Sequence, residues 1–173
     1  SAASDVYKRQ LPGLAKVLER NGFKETEELG QLILNLMSLR ALKLINAGAR
    51  QRMITLVKNT VEGKNKPEHL KLISREELLR RYIKFYEVIA GRPTYVSLLL
   101  QYPLAAKRLG DVLGSGKWAA EYLNRHPLLL DELWDERLSQ IDDYTPVDFS
   151  FYIERTRARL ADIPEDDQET RMN

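Results

Sequence analysis

The chain has 173 residues, of which 43% are hydrophobic and 30% are charged, so it is long enough for one domain with a real core. Its 27 Lys and Arg nearly balance its 25 Asp and Glu, which argues against a strongly basic nucleic-acid-binding protein and against a polyanionic tail. Cysteine is absent, which excludes disulfide scaffolds, cysteine-based zinc sites and thiol nucleophiles.

The sequence shows no segment suited to membrane insertion or export. Its longest apolar runs are far shorter than the roughly 20 residues that span a bilayer. The N-terminus has no charged start followed by an apolar stretch and a cleavage site. We therefore expect no membrane partner and a cytoplasmic location. Residues 1–10 are interpreted as a cut edge or an expression scar.

Apolar spacing in the first third of the chain is helical. A short helix is predicted over residues 11–20, ended by Asn21 and Gly22, a pair that favours the left-handed conformation at a helix C-terminus. Another helix is predicted over residues 47–61. The stripe between them has the spacing of one helix face and comprises Leu29, Leu32, Ile33, Leu36 and Met37. The buried side of the 47–61 helix is expected to carry Met53, Ile54, Val57 and Val61.

A loop predicted at residues 63–73 precedes the helix that the sequence defines best. Gly63, Pro67 and three lysines make this stretch loop-like. Ser74 followed by Glu77 is a capping box, in which each side chain can satisfy a free backbone donor at the helix start. One broad apolar face follows as far as Gly91, formed by Leu78, Leu79, Tyr82, Ile83, Tyr86 and Ile89.

Beyond this helix, prolines and glycines divide the chain into shorter helices. Prolines at 93, 103 and 127 suit the first turn of a helix, and glycines between 110 and 116 end one. Thr145 and Pro146 predict the start of a later helix, and a last one is expected to begin at Pro164. No stretch alternates apolar and polar residues with β-branched enrichment. The predicted fold is an all-α bundle or array of about seven to nine helices without a sheet.

The segment after residue 117 is expected to supply the centre of the fold. Trp118, Tyr122 and residues 128–130 lie on short helices with little sequence of their own to cover them. We therefore predict that they pack beneath the helix at 75–89. The alternative is that Trp118 is an exposed anchor for a partner domain, since tryptophan is common at interface hot spots.

No motif supports catalysis or metal binding. The sequence GSGK at 114–117 resembles a phosphate loop, but the preceding glycine is one residue too far away and Trp118 replaces the magnesium-binding Ser or Thr. A helix-to-helix turn is therefore predicted there. His69 and His126 lack the spacing of a metal site, and the D-x-D pattern of two-metal nucleotidyl transfer is absent. We predict no catalytic, cofactor-binding or metal-ligating residue in this chain.

Charge is distributed unevenly along the chain. Residues 40–84 contain twelve Lys and Arg against four Glu, whereas residues 131–169 contain thirteen Asp and Glu against four Arg. Either the two regions attract each other within one fold, or the charged surface docks another domain or protein.

Several short segments of the sequence resemble segments of a known family. RPTYVSLLLQYP at 92–103, WAAEYL at 118–123 and above all RHPLLLDEL at 125–133 resemble the central region of bacterial glutamine synthetase adenylyltransferase/deadenylylase. NGF at 21–23, YTPVDF at 144–149 and EDDQE at 165–169 resemble that family's flanking phrases. The resemblance covers nearly everything from residue 11 to residue 173.

The resemblance implies a role in nitrogen regulation. Proteins of that family carry two nucleotidyltransferase halves, one attaching AMP to a tyrosine of glutamine synthetase and the other removing it by phosphorolysis. A helical region connects them, and signals from glutamine and the PII protein pass through or near it. The resemblance thus implies that the parent is an enzyme that uses ATP and magnesium, whereas this piece alone is not an enzyme and holds no cofactor.

The resemblance also divides the chain. Residues 11–62 would close the upstream half, and residues 63–73 would form a loop. Residues 74–163 would be the central helical connector, and residues 164–173 would begin a helix leading into the downstream catalytic domain. The implied partners are glutamine synthetase, PII and the flanking nucleotidyltransferase domains, without nucleic acid.

A small set of residues within the shared phrases is singled out as an interface or structural signature. These residues are Arg92, Tyr95, Trp118, His126, Pro127, Asp131 and Glu132. The competing hypothesis is a free-standing helical module that binds protein or nucleic acid, using the basic stretch 40–84 on nucleic acid. A reading frame with one nucleotidyltransferase core upstream and another downstream would exclude that hypothesis.

Overall fold

The computed structural model describes residues 2–64, 66–67 and 73–133, with side chains described from residue 9 to residue 131 within those ranges. No strand occurs among these residues, so the all-α prediction is confirmed. None of their helices is both long and apolar enough to cross a membrane. The helices predicted from Thr145 and Pro164 lie outside the described residues. The helices are α1 (Ala2–Arg20), α2 (Thr26–Met37), α3 (Arg40–Leu44), α4 (Ala47–Val61), α5 (Arg75–Ile89), α6 (Pro93–Gln101), α7 (Pro103–Ser115), α8 (Lys117–Arg125) and α9 (Leu129–Leu133).

A tight corner joins α1 to α2, as the Asn-Gly pair predicts. Gly22 has a φ of 85°, a left-handed conformation that glycine adopts without steric cost. The N–H of Phe23 then donates to the Leu18 carbonyl at 3.0 Å, which closes the end of α1. Phe23 is buried beyond the corner, so this turn directs an aromatic ring into the core.

The first helix is longer than the sequence predicts. The prediction begins at Leu11, whereas α1 begins at Ala2 and contains Pro12. A proline inside a helix removes one backbone donor. Packing continues past the proline, since the side chains of Leu11 and Leu14 lie against Gly30 of α2. The missing side chain at Gly30 lets the two helices approach closely.

The helix α4 has the predicted bounds but a slightly different buried face. Asn46 caps it by accepting a hydrogen bond from the Ala49 N–H at 2.8 Å. Ile54, which was expected on the buried side, is 38% exposed. Its neighbours around the helix take the core positions instead, and the buried residues are Ala49, Met53, Leu56, Val57 and Val61.

The central helix is α5, which contacts α2, α4, α6, α7 and α8. The Ser74 half of the predicted capping box is confirmed, because the Ser74 hydroxyl accepts a hydrogen bond from the Glu77 N–H at 3.1 Å. The Glu77 carboxylate instead accepts hydrogen bonds from Arg80 and Arg81. Phe85 is buried although the predicted apolar face omitted it. The full buried set is Leu78, Leu79, Tyr82, Ile83, Phe85, Tyr86 and Ile89. A helix with so wide an apolar surface requires neighbours on several sides.

The prediction that Trp118 packs in the core is wrong. Its side chain is 57% exposed and Leu128 is only half-buried, whereas Tyr122, Leu129 and Leu130 are buried as expected. The buried face of α8 is centred on Ala119 and Leu123. Trp118 lies one position before Ala119, about 100° around the helix, and therefore points away from that face.

The GSGK sequence is the predicted turn between helices. α7 runs through Gly110 and Gly114, so the prediction that these two glycines end a helix is wrong. It ends at Ser115, Gly116 lies between the helices, and α8 begins at Lys117. The Ser115 hydroxyl donates to the Val112 carbonyl at 2.8 Å, a local bond at the end of α7. The segment therefore serves as a connection between two packed helices.

Polar side chains fasten the α1–α2 corner to α5. The Arg75 guanidinium lies 5.1 Å from the centroid of the Phe23 ring, within reach of a cation–π interaction. Glu76 accepts the Lys24 N–H at 3.0 Å. Arg80 donates to Glu28 at 2.8 Å and also pairs with Glu25 and Glu77. We call this set of contacts the polar joint.

The polar joint is held chiefly by Arg80. Its side chain is only 25% exposed. Hydrogen bonds to the Glu28 carboxylate raise the pKa of Arg80 most, desolvation lowers it, and the Glu25 carboxylate raises it further. Charge-assisted hydrogen bonds of this kind are the stronger ones in proteins. The corner and α5 are therefore held together by charge as well as by apolar packing.

Arg80→Ala is expected to lower the free energy of unfolding by about 1–2 kcal/mol, because three carboxylates lose a shared, partly buried counter-ion. Urea denaturation followed by circular dichroism measures the change. Lys58→Ala is the control, since Lys58 is 68% exposed and its nitrogen is 4.0 Å from Glu62. That variant should lie within about 0.5 kcal/mol of the parent. Equal effects of the two substitutions would contradict the importance of the polar joint.

Candidate interface site

The described residues provide no group of three or more His, Cys, Asp or Glu side chains that could hold a metal ion. His69 and the carboxylates beyond residue 133 are outside the described part of the chain. What this part of the chain does provide is contacts between side chains at helix ends and at the surface.

Three of the signature residues meet near one end of α6. Arg92 precedes Pro93, the first residue of α6, and its guanidinium carbon lies 5.8 Å from the centroid of the Tyr95 ring. Desolvation raises the pKa of Tyr95, and the nearby Asp131 carboxylate raises it further, while Arg92 lowers it. The structure thus brings Arg92, Tyr95 and Asp131 together, although 36 residues separate Tyr95 from Asp131.

His126 and Pro127 form the turn that carries Asp131 to this position. The His126 N–H donates to the Tyr122 carbonyl at 2.9 Å and ends α8, and the rings of these two residues are tilted by 40° with centroids 4.4 Å apart. Pro127 is buried, and the Leu129 N–H donates to the His126 carbonyl at 3.0 Å as α9 begins. Packing against Tyr122 accounts for the position of the His126 ring.

Trp118 stands apart from this corner, and the side chain of Glu132 lies outside the described set. Trp118 is at the beginning of α8 and His126 follows its end, so about 12 Å of helix axis separates them. The signature residues therefore fall into three places: Arg92, Tyr95 and Asp131 near one end of α6, the His126–Pro127 turn after α8, and the exposed Trp118 at the beginning of α8.

A groove between α5 and α8 was not predicted from the sequence. We call it the α5–α8 groove; its lining residues are Glu77, Arg80, Arg81, Lys84, Lys117, Ala120, Glu121 and Asn124. Arg81 donates to Glu77 at 3.2 Å and to the Leu113 carbonyl at 2.6 Å, so it links α5 to the end of α7. No sequence signal could reveal the groove, because its walls come from segments about 35 residues apart.

A second cavity lies beside the buried tyrosines of α5. Phe23, Val61, Pro67 and Ala106 are among its apolar lining residues. The hydroxyl groups of Thr60 and Tyr86 are hydrogen-bonded at 2.7 Å. Burial raises the pKa of Tyr82 and of Tyr86 well above their usual value, so both are neutral phenols at physiological pH.

Many cations of the basic stretch 40–84 already have partners in the fold. Arg50 donates to the Met37 carbonyl at 3.1 Å, and Lys64 pairs with Glu62 at 3.2 Å. Arg75, Arg80 and Arg81 contact the groups described above. These cations are therefore engaged by groups outside the acidic region 131–169, most of which lies beyond the described residues, and the mutual attraction of the two regions stays a prediction.

Comparison with known proteins gives consistent matches to one description. A protein of Thioalkalivibrio sulfidiphilus, described as a bifunctional glutamine synthetase adenylyltransferase/adenylyl-removing enzyme, is 31% identical over 160 residues, which are 91% of this chain and 15% of the relative. A protein of Nitrosococcus oceani with the same description is 31% identical over 156 residues, 90% of this chain and 15% of the relative. A third, from Aromatoleum aromaticum, is 52% identical over 62 residues, 36% of this chain and 7% of the relative.

These matches confirm the resemblance seen in the sequence. The chain spans about one-seventh of the length of these two relatives, each of which matches about nine-tenths of it. No family model matches the chain. No solved structure matches it either.

Proposed function

Because nine-tenths of the chain is similar to one short segment of bifunctional glutamine synthetase adenylyltransferase/adenylyl-removing enzymes, we propose that it is a non-catalytic connector and regulatory segment of such an enzyme. In this proposal two nucleotidyltransferase halves lie outside the chain. One attaches AMP to a tyrosine of glutamine synthetase and the other removes it. One observation carries the proposal: the alignments include about nine-tenths of this chain but only 15% of each relative.

The side-chain chemistry of the chain supports a role without catalysis. Transfer of a nucleotidyl group needs carboxylates that hold magnesium at the reacting phosphate. The sequence has no D-x-D pattern, and the helices that are described bring no cluster of metal-ligating side chains together. ATP and magnesium are therefore assigned to the halves outside this segment.

The architecture also suits a connector. The polar joint and the wide apolar face of α5 tie helices from both ends of the described chain to one central element. A block joined in this way can move as a unit when either end is displaced. In the proposal, glutamine and PII act on the enzyme through or near this block, in the cytoplasm.

The competing nucleic-acid hypothesis receives less support. Phosphate binding depends on several Lys and Arg that are free to contact the backbone. Here Arg50, Arg75, Arg80 and Arg81 are engaged with carbonyl groups, an aromatic ring or glutamates. A free-standing protein-binding module remains the alternative that the exposed Trp118 would favour.

The purified chain is expected to show no AMP transfer to glutamine synthetase and no removal of AMP from it. Radiolabelled ATP with magnesium tests the first reaction, and modified glutamine synthetase with phosphate tests the second. A full-length relative, assayed beside it, is the positive control. Transfer or removal by the chain alone, at a rate above the no-protein blank, would contradict the proposal.

A further inference from the structure

The α5–α8 groove presents exposed cations on two facing helices. Lys84 on α5 and Lys117 on α8 are both exposed. Arg80 and Arg81, deeper in the lining, are already paired with glutamates. Glu121 is the exposed carboxylate on the α8 wall. The groove therefore offers two lysines to an incoming anionic group.

We propose that the α5–α8 groove binds the acidic run at residues 165–169 of this same chain. That run, EDDQE, places four carboxylates in five residues. Residues 134–173 contain eleven Asp and Glu against five Arg, a net charge of −6, while residues 1–133 carry +8. Opposite charges of this size attract at low and physiological ionic strength.

The chain is long enough to make this contact. The last described helix ends at Leu133, so 31 residues separate it from residue 165. Even a fully helical connection of that length spans about 45 Å, and a more extended one reaches farther. A domain of this size has a radius of gyration of about 16 Å. Every part of the described surface is therefore within reach, and attachment to the same chain gives a high effective concentration.

Trp118 does not line the groove, but it lies on α8 beside the lining residues Lys117 and Glu121 and so provides a reporter at the groove's edge. It follows Lys117, lies one turn before Glu121, and is 57% exposed. The sequence contains two tryptophans, so Trp134→Phe leaves Trp118 as the single source of tryptophan fluorescence. Acrylamide is a neutral quencher, and its access to Trp118 therefore measures steric coverage without a direct charge effect.

In the Trp134→Phe background, neutralising the run with Glu165→Gln, Asp166→Asn, Asp167→Asn and Glu169→Gln should raise the acrylamide quenching constant about twofold. Lys84→Gln with Lys117→Gln should give the same rise. Exchanging the charges, with Lys84→Glu and Lys117→Glu combined with Asp166→Lys, Asp167→Lys, Glu165→Gln and Glu169→Gln, should restore the original value, because a cationic run then faces two glutamates. The circular dichroism spectrum checks that each variant keeps its helix content.

Lys43→Gln with Lys58→Gln is the matched control, since both lysines are exposed and outside the groove. It should leave quenching unchanged. The proposal is overturned if neutralising the acidic run has no effect, or if the charge exchange fails to restore protection. It is equally overturned if Trp118 becomes protected only when a separate protein is added, which would assign the groove to a partner. The experiment is independent of the connector function.

Discussion

Phe85→Ala is expected to lower the free energy of unfolding by about 3–5 kcal/mol, the range found for large aromatic truncations in protein cores. Phe85 is 0% exposed and lies on α5, the helix that contacts five others. Removing its ring leaves a cavity that the surrounding helices cannot fill by small shifts. Urea denaturation should show a lower midpoint with an unchanged slope.

Trp118→Ala is the matched aromatic control for this measurement. Its side chain is 57% exposed on α8, so the substitution should change the free energy of unfolding by less than about 0.5 kcal/mol. A large loss for Trp118→Ala, or a small one for Phe85→Ala, would contradict the assignment of the core. The comparison separates burial from the general effect of losing an aromatic ring.

Gly110→Ala should be the most disruptive single-methyl change in the described helices and cost about 1–3 kcal/mol, as overpacking does. Gly110 is buried on α7, and a methyl group there would overlap the Tyr82 hydroxyl and the Pro67 ring. Tyr82 is itself buried on the central helix, so it has little room to move. Thermal or urea denaturation of the purified variant measures the loss.

Gly13→Ala is the control for that substitution. Gly13 lies in α1 with open space around it, so the added methyl group meets nothing. Alanine is the better helix former, and this variant should be about 0.5–1 kcal/mol more stable. If Gly110→Ala and Gly13→Ala change the free energy of unfolding in the same direction, the effect of Gly110→Ala does not come from close packing of α7 against Tyr82.

Local sequence signals predicted several helix ends, although α1 begins nine residues earlier than predicted and α3 was not predicted. The Asn21-Gly22 corner and the Ser74 cap are confirmed because each depends on a few adjacent residues. The turn at 114–117 is confirmed for the same reason. Backbone conformation and capping are decided within one turn of helix, which a sequence pattern records directly.

Positions that depend on tertiary packing were harder to predict. Trp118 is apolar and lies four residues before the buried Tyr122, yet it falls outside the face of α8 that meets its neighbours. Ile54 is more exposed than its spacing suggested for a similar reason. Only the direction of approach of neighbouring helices decides such cases.

The candidate site was predictable in part. The signature phrases supplied Arg92, Tyr95 and Asp131, and the fold brings these three together. The polar joint and the α5–α8 groove were not predicted, because their members come from segments as far apart as Glu25 and Arg80. Charge counts showed an excess of cations at 40–84 but could not show which glutamates pair with them.

The measurement that tests the connector function most directly uses a full-length enzyme. This segment would replace the matching segment of the Thioalkalivibrio relative, with and without Arg80→Ala. We expect both basal activities, AMP attachment and AMP removal, to stay within about twofold of the parent, because in this proposal the catalytic groups belong to the halves outside this segment. The response to glutamine and PII should fall by about tenfold, a coupling loss of roughly 1.4 kcal/mol. The connector function would be contradicted if Arg80→Ala left the response to glutamine and PII unchanged, or if it lowered both basal activities in parallel.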